Sequence, residues 1–249
     1  SRRKFVLEKV QADNNFGDQK DRVHIDEKWF YLMHDGAVCR VFPDENGVVK
    51  MPRPAKIHHK SRMPKMMFLV AVARPRPEYD FDGKIGIWFF TLERKAKRSH
   101  AATGTIRDVT DIIEPVTVDA AEYRKKMTMS KGVFDKVRRL MWWFKKDSGM
   151  PEAGKPIYIQ HDGARPHTVS VNEAAWAEHR YVDRTTVIVE LQPSQSPDVN
   201  VLDLCFFNSL QSDTKCVAKS NLKELRDVVT ECWDAYSLER MDNCWRCLF

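Results

Sequence analysis

Short runs of β-branched and aromatic residues recur along the chain, bounded by turn-forming or charged residues, and this pattern predicts β-strands. Asp82 and Gly83 form the predicted turn before the third run, and Pro75 and Pro77 stop the second. The five runs occupy residues 23–33, 66–73, 84–92, 157–161 and 185–191.

Four other segments carry apolar residues at a spacing of about three and four, or follow a helix-opening turn, and are predicted to be helical. The turn Ser196-Pro197-Asp198 opens the third of them, and Asn221 is a candidate N-cap of the fourth. The segments are 118–144 with an interruption at Gly132, 169–179, 199–211 and 222–236. Three consecutive strands followed by alternating helices and strands predict an α/β fold with a mixed five-stranded sheet.

Composition narrows the class of protein. The 249 residues are 43% apolar, enough for a buried core in one large domain or two small ones. No run of about 18 apolar residues occurs, and no signal-like stretch follows the N-terminus, so neither membrane insertion nor secretion is expected. The chain begins without Met, as a fragment of a longer protein would.

The six cysteines are scattered, and we interpret them as reduced, intracellular thiols. Cys244 and Cys247 form a single CxxC pair. A zinc site is one interpretation of this pair, and buried thiols beside Trp245 are the preferred one.

Positive charge is concentrated in the long connection 34–64 between the first two predicted strands. Lys and Arg number 41 against 35 Asp and Glu, a net charge of +6. Residues 50–65 hold six Lys or Arg, no acid and three prolines. Such a stiffened, one-signed segment favours contact with a phosphate backbone over a merely solvated loop. Its candidate DNA-binding residues are Arg53, Lys56, Lys60, Arg62 and Lys65.

Two further basic clusters, 94–98 and 136–140, agree with a nucleic-acid partner. The first is equally interpretable as a nuclear-localisation patch or as the solvated end of a strand.

Three acids stand in unusual positions. Asp26 lies inside the first predicted strand, Asp162 follows the end of the fourth, and Asp203 lies in an apolar helix start. Because successive strand residues face opposite ways, only one of Asp26 and Glu27 can face a given site. Each acid alone is more often structural, but three converging carboxylates repel one another and favour bound Mg²⁺ or Mn²⁺. Clustered acids on a basic protein therefore predict a nuclease or a DNA strand-transfer enzyme.

Three sequence blocks, "IDEKWF" at 25–30, "QHDGARPHT" at 160–168 and "QSPDVNVLDLCFF" at 195–207, resemble the signature blocks of mariner-type DNA transposases. The segments "VLDLCFF" and "KIGIWFF" are most similar to the branch found in plants and oomycetes. The resemblance runs from about Arg22 to Leu248. It implies a ribonuclease-H-like catalytic domain over 1–249, in which 34–64 is a clamp-like loop that reaches the other subunit and its DNA.

The resemblance also implies the site residues. The metal-binding and catalytic triad falls on Asp26, Asp162 and Asp203, which would hold two Mg²⁺ or Mn²⁺ ions. Asp198 is the rival third acid, and the motif favours Asp203, since the family's acid follows the Ser-Pro-Asp turn by five positions. Two further residues are expected near phosphate, Arg165 and His167.

The implied function is cut-and-paste transposition in the nucleus, in which a homodimer binds transposon ends and target DNA. Metal-dependent cleavage would be followed by strand transfer from the freed 3′-hydroxyl. Two departures from the family stand out: Gly163 replaces its usual Asn, and the N-terminal helix-turn-helix part is absent. The alternatives are a host-adopted, non-catalytic DNA-binding protein that kept the fold, and a generic nuclease, which does not account for the three blocks.

Overall fold

The structure of the chain is a computed structural model. It describes residues 2–9, 17–32, 46–48, 63–99, 106–164, 178–217, 219 and 221–248. In these ranges no helix is long and apolar enough to cross a membrane.

The central feature is a six-stranded mixed sheet with the strand order β3-β2-β1-β6-β8-β7. β1 pairs antiparallel with β2 and parallel with β6, which in turn is parallel to β8. A separate hairpin is formed by β4 and β5. The strands are β1 (Arg22–Tyr31), β2 (Lys65–Ala73), β3 (Lys84–Phe89), β4 (Thr91–Ser99), β5 (Ile106–Pro115), β6 (Ile157–His161), β7 (Glu178–Arg180) and β8 (Thr186–Leu191).

Helices cover both faces of the sheet. They are α1 (Arg2–Lys9), α2 (Ala120–Thr128), α3 (Val133–Leu140), α4 (Phe207–Lys215), α5 (Leu222–Asp234) and α6 (Leu238–Arg246). Residues of α2 and α3 form one core with Ile25, and residues of α4 to α6 form a second core with Val70. Because side chains alternate along β1 and Ile25 faces the first core, the next residue, Asp26, faces the side of the sheet that carries the second core.

The five predicted strands are present, and three predictions about the sheet need correction. The sheet has six strands, not five, since Glu178–Arg180 pairs with β8. That strand also contradicts the end of the predicted helix 169–179, whose residues 169–177 lie outside the described ranges. The third predicted strand ends at Phe89, where its register with β2 ends at the pair of Phe68 and Phe89. One further bond follows, from the Phe90 N–H to the Met67 carbonyl at 3.0 Å, and β4 begins at Thr91.

The helix predictions hold where caps could be recognised. The Asn221 side chain accepts the Glu224 N–H at 2.9 Å, as expected of an N-cap. Gly132 lies between α2 and α3 as the N-cap of α3. A larger residue would not fit there, because its Cβ would lie 2.6 Å from the Lys126 carbonyl oxygen. Helices α1 and α6 were not predicted.

Candidate active site

Asp26 is a buried carboxyl in the middle of β1, only 8% exposed. Its Oδ1 accepts the Glu27 backbone N–H at 2.8 Å. Its Oδ2 accepts the Nδ2 amide of Asn200 at 3.1 Å. Both carboxylate oxygens therefore have a fixed hydrogen-bond donor.

Asp162 follows β6 directly, where the sheet places it close to Asp26. In the parallel pair of β1 and β6, His24 is opposite Gln160. Asp26 is two residues beyond His24, and Asp162 is two residues beyond Gln160, so both acids lie at the same level of the sheet. The Asp162 Oδ1 accepts the Ala164 N–H at 3.0 Å, which fixes the carboxyl in the turn.

Asp203 comes from a short π-helical segment, Leu202–Phe206, that precedes α4. The prediction of one continuous helix over 199–211 is therefore corrected. A one-turn 3₁₀ helix, Pro197–Val199, comes first, the π-helical turn Leu202–Phe206 is second, and α4 follows it. The break occurs because Asn200 has an extended backbone with φ −119° and ψ 114°. Short π-helical turns are often found at functional sites, where they re-aim a side chain.

The electrostatics indicate that Asp203 and Asp162 lie close enough to act on Asp26. The pKa of Asp26 is raised to about 9, by burial first, then by the charges of Asp203 and Glu27, with Asp162 contributing less. The pKa of the buried Tyr123 in α2 is raised well above its usual value by burial and then by Glu27, Asp162 and Asp26. No pattern in the sequence indicated that Tyr123 would lie beside these acids.

A cavity of about 270 Å³ opens between two of the acids. Asp162 and Asp203 line it, and Asp26 does not. The remaining lining residues are Gly163, Ala164 and the loop 192–197. Asp162 and Asp203 are partly exposed at this cavity, whereas Asp26 is buried in the sheet.

The donor set fits a hard divalent cation. Carboxylate oxygens suit Mg²⁺ or Mn²⁺, and a cation would relieve the repulsion that raises the pKa of Asp26. Within the described part of the chain, however, no group of three or more His, Cys, Asp or Glu side chains is placed so that it could hold a metal ion.

Of the seven predicted DNA-binding residues, only Lys65 falls within the described ranges. Its ammonium lies 4.2 Å from the ring centroid of Trp29 and 5.9 Å from that of Tyr31. The residues outside the described ranges are Arg53, Lys56, Lys60, Arg62, Arg165 and His167. The cluster 94–98 lies in β4 and pairs with β5.

The cysteine pair has a third neighbour that the sequence did not indicate. Burial and hydrogen bonds with Cys247 and Cys244 raise the pKa of Cys205 to about 12. Cys244 is buried as expected, but Cys247 is exposed, which corrects the interpretation of both as buried thiols.

No protein-family model matches the chain, and no curated protein matches its sequence. Solved structures do match. A pre-cleavage Mos1 transpososome aligns with a TM-score of 0.55 and 16% identity, over 92% of this chain and 53% of that one. The Mos1 mariner paired-end complex with Mn gives 0.52 and 17%, over 92% and 53%.

The catalytic domain of the Mos1 mariner transposase aligns with a TM-score of 0.52 and 15% identity, over 92% of this chain and 78% of that one. The chain spans about half the length of the two Mos1 chains in the complexes. At such low identity the likeness concerns the fold, and this chain has the ribonuclease-H-like fold of a mariner transposase catalytic domain.

Proposed function

We propose that this chain is the catalytic domain of a cut-and-paste DNA transposase of the mariner type, from the branch found in plants and oomycetes. The observation that carries the proposal is that the fold brings together three acids distant in sequence: Asp26 and Asp162 lie level on neighbouring strands, and Asp162 and Asp203 line one cavity. Burial, and then the charges of Asp203, Glu27 and Asp162, raise the pKa of Asp26. The three acids are those that the three mariner-like blocks supply.

In the proposed mechanism the three acids would hold Mg²⁺ or Mn²⁺, two ions per site. When bound, the ions supply Lewis-acid activation of the nucleophile and stabilise the leaving oxygen in an in-line displacement at phosphorus. Asp162 and Asp203 present their carboxylates to the cavity where a DNA phosphate would lie. Asp26, with a donor on each oxygen, keeps one orientation throughout both steps.

The proposed partners are transposon ends and target DNA, bound by a homodimer in the nucleus. The basic connection 34–64, with Arg165 and His167, would contact phosphates. The solved structures with this fold include a Mos1 transpososome and a Mos1 mariner paired-end complex, and they support the proposal for this chain by analogy of fold alone.

The test is Asp162→Ala in the full-length protein, assayed on DNA that carries the ends of its own element. Because one site serves both steps, cleavage and the joining of pre-cut ends should both be lost. The control is Asp198→Asn, the rival acid, which does not line the cavity and should leave both reactions intact.

Two outcomes would contradict the proposal. Joining of pre-cut ends by Asp162→Ala would refute the single site. A wild-type protein that binds DNA but neither cleaves nor joins it would favour the host-adopted, non-catalytic alternative.

Without metal, the melting temperature of Asp162→Ala should not fall, since one of three mutually repelling acids is removed.

A further inference from the structure

Asn200 is the most deeply buried polar residue beside the acids, with no exposed surface. Both ends of its side-chain amide are used. Its Nδ2 donates to the Asp26 Oδ2 at 3.1 Å, and its Oδ1 accepts the Leu202 N–H at 3.1 Å. Asn200 thus connects Asp26 in β1 with the residue that immediately precedes Asp203.

The local backbone leaves the Asn200 side chain little freedom. The Asn200 N–H bonds the Pro197 carbonyl at 3.2 Å, and its own carbonyl accepts the Leu204 N–H at 3.0 Å. Pro197 begins the one-turn helix and has its φ restricted by its ring. These backbone hydrogen bonds therefore fix the main chain on both sides of Asn200, independently of the two bonds of its side chain.

A second hydrogen bond connects β1 with the same turn, two residues before Asp26. The Nδ1 of His24 accepts the Val201 N–H at 3.1 Å. His24 and Asp26 are two residues apart in β1 and face the same side of the sheet. Two residues on the same face of β1, His24 and Asp26, therefore bind the consecutive residues Val201 and Asn200, which fixes the register of the turn on the sheet.

We infer that Asn200 is a positioning residue of the proposed metal site, setting the distance and orientation between the Asp26 carboxylate and the Asp203 segment. The inference rests on the proposed function, because it assigns Asn200 a role toward the same site. Asn200 itself need not touch metal or DNA.

The chemistry of the amide explains why the role suits asparagine. Asp26 needs a donor and the Leu202 N–H needs an acceptor, and an amide offers both on adjacent atoms. An ionised Asp would offer only acceptors, and Ala would leave both buried partners unsatisfied. Since each ionised carboxylate oxygen has about two acceptor positions, the single bond to each Asp26 oxygen leaves capacity for a cation.

The test compares two variants with a matched control in the full chain. Asn200→Asp keeps the shape and the acceptor for Leu202 but removes the donor to Asp26. Asn200→Ala removes both. The control is Thr214→Val in α4, which removes a buried hydroxyl that donates to the Gln211 carbonyl at 3.0 Å, away from the acids.

Three measurements separate positioning from simple stability. Calorimetry with Mn²⁺ should show binding weakened roughly 10- to 100-fold in Asn200→Ala, as for other residues that orient metal ligands, and unchanged in Thr214→Val. Without metal, amide exchange at Leu202 should accelerate at least tenfold in Asn200→Ala and stay slow in Asn200→Asp. DNA cleavage at saturating Mn²⁺ should fall at least tenfold in both Asn200 variants.

The outcomes distinguish this inference from the proposed function. If the wild-type chain binds no Mn²⁺, the proposed function fails. If it binds Mn²⁺ and Asn200→Ala binds equally well, the positioning role is refuted. If Asn200→Asp cleaves DNA at the wild-type rate, the role of Asn200 is limited to accepting the Leu202 N–H. If Asn200→Ala does not fold, the Mn²⁺ affinity and the cleavage rate of Asn200→Asp decide the question.

Discussion

The raised pKa of Asp26 makes the metal-free protein sensitive to alkaline pH. Its folded-state pKa is about 9 against an ordinary value of 3.8, because the carboxyl is buried and faces the charges of Asp203 and Glu27. Above pH 3.8 the unfolded chain loses this proton while the folded chain keeps it. The free energy of unfolding must therefore fall as pH rises, until the folded protein also loses the proton near pH 9.

The magnitude follows from one bound proton. One proton difference changes stability by about 1.4 kcal/mol per pH unit. Between pH 7 and pH 9 the contribution of Asp26 to unfolding free energy should fall by roughly 2 kcal/mol, a loss of about 4–8 °C in melting temperature for a chain of this size. The window starts at pH 7 because His24 contributes little above it: burial, Arg22 and Lys9 lower its folded-state pKa to about 3, and with the ordinary pKa of 6.5 most of it is neutral in the unfolded chain as well.

The assay is thermal and urea unfolding with EDTA at pH 7, 8 and 9, for the wild type and for Asp26→Asn. The variant places its amide against the Nδ2 of Asn200, which costs about 1–3 kcal/mol, so the difference in slope is the readout, not the stability at one pH. Asp198→Asn should keep the wild-type slope. Added Mn²⁺ should restore the alkaline stability of the wild type, because the ion binds the ionised acids.

Equal slopes in wild type and Asp26→Asn would refute this reasoning. Asp26 would then ionise at an ordinary pH. Burial and the charges of Asp203 and Glu27 would then not penalise the ionised form of Asp26 as its raised pKa implies.

Three further predictions concern individual residues. Asp203→Asn should abolish Mn²⁺ binding in calorimetry while Asp198→Asn retains it, and the reverse result would exchange their roles. Gly163→Asn should change the melting temperature by less than about 2 °C, because among the described residues an added Cβ would meet only the Ser194 Oγ, at 4.0 Å. The Mn²⁺ affinity of this variant should be equal to that of the wild type or tighter, and failure to fold would contradict the open space at this position. Neutralising the basic connection should lower the slope of log affinity for DNA against log salt by about 0.9 for each phosphate that the protein no longer neutralises, and an unchanged slope would make the connection an inert loop. The residues to change together are Arg53, Lys56, Lys60 and Arg62.

Local features could be predicted from the sequence wherever one residue type has one physical role. The strand 157–161 has the bounds predicted, because its apolar run ends where Asp162 begins the turn. Asn221 and Gly132 mark helix boundaries through their own bonding and size. These signals depend on neighbours within about four residues, which the sequence displays directly.

Long-range pairing could not be predicted in the same way. The end of β3 at Phe89 is set by where its pairing with β2 stops, and the strand Glu178–Arg180 is defined by its pairing with β8. A three-residue strand has too few positions for an alternating pattern to be recognised. Such elements exist because of their partners.

For the candidate site, the sequence by itself determined which acids were chemically conspicuous: Asp26, Asp162 and Asp203 interrupt apolar segments where an unsatisfied charge is costly. Only the tertiary structure decided how they meet. The parallel register of β1 with β6 places Asp26 and Asp162 at the same level of the sheet, and Asn200 binds Asp26 across 174 residues of sequence. Distances between remote residues arise from sheet register and packing, and no local pattern of hydrophobic and polar positions records them.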